Sequence, residues 1–193
     1  MADSQAALTE EELMRMSLEN PELRFERKPD GTLVSISSTG GISGNREAKA
    51  VAYLLNWVET YDLGEVFGSG TGFILGCDTV QSSKLVTLLM PDAAFVAKGR
   101  LPEGWDQGED TFLNLAPDFV IEICSKIDDL EASKAKMQES VSYGVQLGWL
   151  IDHQNEQALV YRADGHITQY PATAILSGED VVPGFKLALK YLL

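Results

Sequence analysis

Two carboxylates stand where a carboxylate is costly. Asp92 lies in Leu88-Leu89-Met90-Pro91-Asp92-Ala93-Ala94-Phe95-Val96, and Glu122 in Phe119-Val120-Ile121-Glu122-Ile123. Both stretches are otherwise apolar enough to be buried strands, and an unpaired carboxylate in such a place costs several kcal/mol. Strand alternation puts Glu122 on the side of Val120 and Cys124, opposite Ile121 and Ile123. If the two strands are neighbours, the carboxylates converge and repel. A divalent cation would relieve both costs, and oxygen ligands suit magnesium. The competing reading is a pair of strand-end carboxylates that reach solvent or an arginine. Pattern alone leaves both open.

Other chemistries find little support. Cys77 and Cys124 are the only cysteines, with no CxxC pair, and His153 and His166 are isolated, which argues against a zinc site. Gly68-Ser69-Gly70-Thr71-Gly72 lacks the Gly-Lys-Ser/Thr of a phosphate loop and leads toward a strand, so it reads as a turn. No Ser, His and Asp stand in a recognisable hydrolase context. The formal net charge of −14 opposes long-range attraction to nucleic acid unless basic groups cluster or metal ions offset it.

The elements around these residues can be read from periodicity. A first helix spans 8 to 19, with Thr9 as N-cap and Glu10 to Glu12 in its first turn. Strands at 23 to 28 and 33 to 37 flank the turn Pro29-Asp30-Gly31. Residues 39 to 44, with three glycines, read as a loop. A second helix follows from Glu47 to Thr60, with Val51, Leu54, Leu55 and Val58 as its apolar stripe. Strands are expected at 65 to 67, 72 to 75, 84 to 90, 93 to 97 and 117 to 124, with mostly loop from 98 to 114. Asp128 can cap a third helix ending near Gly144. Strands at 147 to 152, 158 to 162 and 166 to 170 complete the set. Helices and strands in this irregular order predict an α/β fold, a mixed sheet flanked by helices, in one domain of residues 1–193 with a short N-terminal helical arm. No apolar run is long enough for a membrane span, and the acidic start is unlike a signal peptide, which points to the cytoplasm.

An ordered set of segments carries a resemblance. It runs from Leu8-Thr9 and Phe25-Glu26-Arg27 through Pro91-Asp92-Ala93-Ala94-Phe95-Val96, Pro117-Asp118-Phe119-Val120-Ile121-Glu122-Ile123-Cys124-Ser125, Lys136-Met137-Gln138-Glu139 and Gly148-Trp149-Leu150-Ile151-Asp152 to Leu176 through Phe185. This set resembles the Uma family of putative restriction endonucleases, within the PD-(D/E)xK nuclease superfamily. The resemblance implies a restriction-endonuclease-like mixed β-sheet core, a site for magnesium or manganese, DNA as substrate and a homodimer. By position, Asp92 would be the PD aspartate and Glu122 the second acid, both binding metal. Cys124 stands where the superfamily motif has its lysine. A lysine on the following helix takes that part in the family, which points to Lys136 as the third catalytic residue.

Lys134 is its rival, because it falls on the helix stripe of Leu130, Met137 and Val141 while Lys136 lies on the shoulder. Several positions depart from the family pattern, among them Lys49, Ser133, Ser140 and His153. Three readings follow: a magnesium-dependent DNA endonuclease, a catalytically impaired homologue serving as a dimeric binding or interaction module, and a metal-dependent hydrolase of another substrate. A nuclease needs both carboxylates and a lysine in one cleft. An interaction module would leave both lysines solvated and Glu122 paired elsewhere. The apolar tail from Leu187 to Leu193 is a candidate dimer contact.

Overall fold

The computed structural model describes residues 8–20, 24–36, 39–76, 87–108, 111–126 and 128–193. Cys77, and parts of the strands expected at 23 to 28, 33 to 37 and 84 to 90, lie outside them.

Helix α1 (Glu10–Glu19) starts at a capping box: the Thr9 hydroxyl accepts the Glu12 N–H, and the Glu12 carboxylate accepts the Thr9 N–H at 2.7 Å. Strands β1 (Arg24–Arg27) and β2 (Leu33–Ile36) form the expected hairpin. The buried Arg27 reaches back to the residue before the α1 cap, donating to the Leu8 carbonyl at 2.6 Å.

Helix α2 (Gly41–Tyr61) corrects the sequence reading, since it begins inside the segment taken for a loop. Gly44 costs roughly 1 kcal/mol relative to alanine inside a helix, and Gly41 stands at its first position. Leu54 and Val58 are fully buried, at roughly 1.5–3 kcal/mol each, and tertiary packing outweighs propensity. The buried stripe is Ala50, Leu54 and Val58, while Leu55 is exposed.

Strands β3 (Gly64–Gly68), β4 (Phe73–Leu75), β5 (Thr87–Leu89), β6 (Ala93–Ala97) and β7 (Phe119–Cys124) come next. Helix α3 (Leu130–Ser142) then links β7 to β8 (Leu147–Asp152). Asp129 caps α3, accepting from Glu131 and Ala132 N–H, and not Asp128, which accepts the Ser125 N–H one turn earlier. Strands β9 (Gln157–Arg162) and β10 (Ile167–Pro171) close as a hairpin. Strands β11 (Ile175–Ser177) and β12 (Lys186–Ala188) precede a short 3-10 turn, Leu189–Tyr191.

The main sheet has six strands in the order β10-β9-β8-β7-β6-β3. The β7–β8 pair is parallel and its other pairs are antiparallel. On one face α2 packs against Phe95, Phe119, Ile121, Ile123 and Trp149. On the other, α3 brings Met137 against Val120, Cys124 and Leu150. A second sheet, β2-β1-β5-β4, also covers this side through Phe73, Leu75 and Leu89. Gly148 lets α3 approach, because a Cβ there would lie 2.2 Å from Met137 Cε. The result is a mixed α/β sandwich, as the element order predicts.

The apolar tail does not offer the contact surface expected of it. Leu187, Leu189 and Leu192 are buried in the α2-side core, where their apolar surface leaves water, and Tyr191 is the large apolar tail side chain left exposed.

Candidate active site

Glu122 lies mid-strand on β7. Its neighbours Ile121 and Ile123 face α2, so alternation turns Glu122 with Val120 and Cys124 toward α3. Strands β6 and β7 are antiparallel with Ala93 opposite Ile121 and Ala94 opposite Val120. One further step of that register brings Asp92 level with Glu122. Asp92 Oδ2 accepts the Ile123 N–H at 2.7 Å, which fixes the carboxylate at the mouth of the strand pair. The two acids thus share one cleft, Glu122 on β7 and Asp92 just ahead of the neighbouring strand β6.

Lys136 rises from α3 into the same cleft. Its Nζ lies 2.7 Å from Glu122 Oε1 and 2.7 Å from Glu26 Oε1. It also approaches the Met90 carbonyl at 3.4 Å. All three side chains are a quarter exposed or less: 24% for Lys136, 12% for Glu122 and 16% for Glu26. The rival Lys134 points away, paired at 2.8 Å with the exposed Glu131. Ser140, one turn beyond Lys136, is buried and donates to the Lys136 carbonyl at 2.7 Å, so its hydroxyl is satisfied within α3 itself.

Burial dominates the electrostatics. It lifts the Asp92 carboxyl to about 6, against the pull of Lys136 and the Ile123 N–H, with Glu47 and Glu26 pushing it further up. Burial also lifts Glu122 to about 8; Lys136 opposes this and the negative charges of Asp92 and Glu26 add to it. Burial lowers the proton affinity of Lys136, but Glu122 and Glu26 more than offset it, so the lysine stays an ammonium. Several acids therefore surround one cation, and the cleft carries excess negative charge. Beside the ion pairs lies a cavity of about 530 Å³, lined among others by Glu26, Asp30, Thr87, Glu122, Ser133 and Lys136.

Among the described residues no three His, Cys, Asp or Glu side chains form a ready-made metal cage. The donor set nonetheless fits magnesium, which is commonly held by one or two carboxylates with water completing its shell. Asp92 and Glu122 supply two carboxylates, and their raised proton affinities mark a place where added positive charge is favourable.

Glu26 and Glu47 were not singled out by composition or spacing. Phe25-Glu26-Arg27 alternates, and the burial of Phe25 and Arg27 leaves Glu26 on the opposite face of β1, toward the cleft. Glu47 precedes Ala50 of the α2 stripe by three residues, which sets it on the sheet-facing side of the helix, whereas Lys49 is exposed. A second Pro-Asp, Pro117-Asp118, serves structure: Asp118 accepts the Ala97 N–H and pairs with Arg100, each at 2.7 Å. Asp152 likewise holds a turn, accepting from Gln154, Asn155 and Gln157.

The fold is shared with the crystal structure of a putative nuclease belonging to DUF820 from Anabaena variabilis ATCC 29413. That chain is 20% identical with a TM-score of 0.75, and the match covers 96% of this chain and 97% of that one. No curated protein matches. The family pattern described as "Putative restriction endonuclease" matches residues 10–190. Spanning nearly the whole chain and both strands of the cleft, that match assigns the protein to the Uma2 family of putative restriction endonucleases.

Proposed function

We propose that the protein is a magnesium-dependent endonuclease that hydrolyses phosphodiester bonds in DNA. The observation that carries this reading is the convergence of Asp92, Glu122 and Lys136 in one cleft, with both acids raised in proton affinity by burial. When bound, magnesium or manganese would supply positive charge and Lewis acidity beside the scissile phosphate. Asp92 and Glu122 would hold it. Asp92 is pre-oriented by the Ile123 N–H, so little reorganisation is needed there. Lys136 keeps its proton and directs an ammonium at the same space, where it stabilises charge developing on phosphate oxygens.

One observation favours the alternative, a catalytically impaired homologue acting as a binding or interaction module. The net charge of −14 gives duplex DNA no general attraction. Incubating purified protein with plasmid DNA, with magnesium, manganese or EDTA, decides between them. Metal-dependent nicking or linearisation that disappears in Glu122→Gln supports the nuclease. Intact plasmid at every metal concentration sinks it. The same reading takes residues 1–193 as one domain working in the cytoplasm as a homodimer. Sedimentation at micromolar concentration should show two subunits, and a clean monomer would remove that part.

A further inference from the structure

The cavity beside the ion pairs lies between one face of the second sheet and one face of α3. Glu26 on β1 stands opposite Val34 on β2, so both side chains share the face turned toward the cleft. On β5, Leu88 packs with Leu13 and Phe25 on the α1 side, while Leu89 joins the α3-side core. Alternation therefore turns Thr87 the same way as Leu89, toward the cavity that it lines. Across from this sheet, α3 presents Ala132, Ala135 and Glu139 at the spacing of one helix stripe, with Lys136 beside them.

Two polar groups in these walls have no partner among the described residues. Thr87 is 5% exposed, and its hydroxyl makes no hydrogen bond. A buried hydroxyl left in that state is costly, and few native polar groups are. Glu139 is half-buried, and burial raises its proton affinity. Lys28 acts on it through charge alone, and no hydrogen bond reaches its carboxylate. Glu26 and Glu122 spend their oxygens on Lys136, whereas Glu139 keeps both of its own. The space thus has apolar walls from Val34, Ala132 and Ala135, and a free pair of acceptors at one side. A flat ring with N–H donors along one edge has the complementary chemistry. Guanine carries a ring N–H and an amino N–H side by side, and one carboxylate can accept both, as it does from arginine.

We propose that this cavity is a nucleobase pocket that takes one unpaired base of the substrate strand, guanine by preference, with Glu139 accepting from its Watson–Crick edge. That the base belongs to a DNA strand rests on the nuclease reading; the pocket itself is a property of the chain alone. Glu139 is three residues beyond Lys136, and such neighbours have Cβ atoms about 5–6 Å apart on a helix. A base held at Glu139 therefore leaves its adjoining phosphate within reach of the ammonium. In a duplex the same edge is covered by the partner base. The pocket accordingly favours a single strand, or a base turned out of the stack at a cost in stacking and pairing. Such a contact draws on apolar surface and hydrogen bonds as well as phosphate charge, which suits a chain of net charge −14.

The test uses the uncharged nucleosides deoxyguanosine and thymidine with the full chain in EDTA, so that phosphate, metal and cleavage play no part. Titration followed by saturation-transfer NMR gives each dissociation constant. Deoxyguanosine should bind about tenfold more tightly than thymidine, as expected for one bidentate pair. Glu139→Gln offers a single acceptor beside an amino donor and should bring deoxyguanosine to the thymidine level. Ala135→Trp, at an exposed helix position, should fill the cavity and remove binding of both. Circular dichroism checks that each variant folds, and if Ala135→Trp does not, Glu139→Gln decides alone. Absence of deoxyguanosine binding, equal binding of the two nucleosides by wild type, or deoxyguanosine binding unchanged in Glu139→Gln overturns the proposal. A second arm separates a strand base from a free nucleotide. A short oligothymidylate with one central guanine is compared alone and annealed to its complement. Saturation should reach the guanine of the single strand more strongly than that of the duplex. A strand guanine that receives none, while free deoxyguanosine does, overturns the assignment to a strand. Plasmid cleavage is scored separately: base-selective binding without cleavage keeps the pocket and removes the nuclease, and cleavage without base selectivity does the reverse.

Discussion

Asp92→Asn isolates the cost of one buried carboxylate. An amide oxygen can accept the same Ile123 N–H that Asp92 Oδ2 accepts at 2.7 Å, so the substitution removes charge and keeps the hydrogen bond. Burial lifts the folded carboxyl from 3.8 to about 6. The native state therefore holds this proton more tightly than the unfolded chain does. Its contribution to stability is full below the ordinary value of 3.8 and is lost as pH rises through about 6. At about pH 8 the ionised group costs the fold up to about 3 kcal/mol, a shift of about two units at roughly 1.4 kcal/mol each. At about pH 5 the native group is still mostly protonated, and the cost falls to roughly half that. Urea unfolding of metal-free protein at both pH values measures this. Asp92→Asn should be the more stable protein, by up to about 3 kcal/mol at the higher pH, with the gap roughly halved at the lower. An asparagine variant less stable than wild type at the higher pH would refute the reasoning, because the carboxylate would then be contributing to the fold through a partner that outweighs its burial.

Lys136→Met removes the counter-ion from Glu26 and Glu122 and should cost about 3–5 kcal/mol near pH 8. The loss should shrink near pH 5, where Glu122, lifted to about 8, is protonated; an equal loss at both would point to packing and not charge. Lys134→Ala should leave the unfolding midpoint where it is, since its partner Glu131 is exposed. Magnesium should raise the melting temperature of wild type in a concentration-dependent way and should not do so in Asp92→Asn, and equal shifts in both would place the ion elsewhere. Asp118→Ala loses the Arg100 pair and the Ala97 hydrogen bond and should cost about 1–3 kcal/mol, without loss of any cleavage activity in the folded protein.

The sequence carried the two acids clearly, because apolar runs make an intruding carboxylate conspicuous. Alternation also gave the correct face for Glu122. The choice between Lys134 and Lys136 was not legible in that way. The helix stripe alone favoured Lys134, and what turns Lys136 inward is a pair of carboxylates from distant strands. Glu26 was hidden for the same reason: a four-residue hairpin strand with alternating polarity looks like an edge exposed to water. The start of α2 was missed because glycine propensity is local, whereas Leu54 and Val58 find their partners on β6 and β7 only after folding. The tail misled by composition, as Leu187, Leu189 and Leu192 complete the core instead of leaving an adhesive surface.

The parallel pairing of β7 with β8 has a kinetic meaning. Parallel neighbours require a crossover, and here the crossover is α3, which carries the lysine. Lys136 follows Glu122 by 14 positions, whereas Asp92 and Glu26 precede Glu122 by 30 and 96. Closing the shorter segment forfeits less chain entropy. Among the charged groups of the cleft, Glu122 and Lys136 therefore meet at the smallest entropic cost, carboxylate beside ammonium. Asp92 and Glu26, reached over longer stretches of chain, then join a place where a cation is already held.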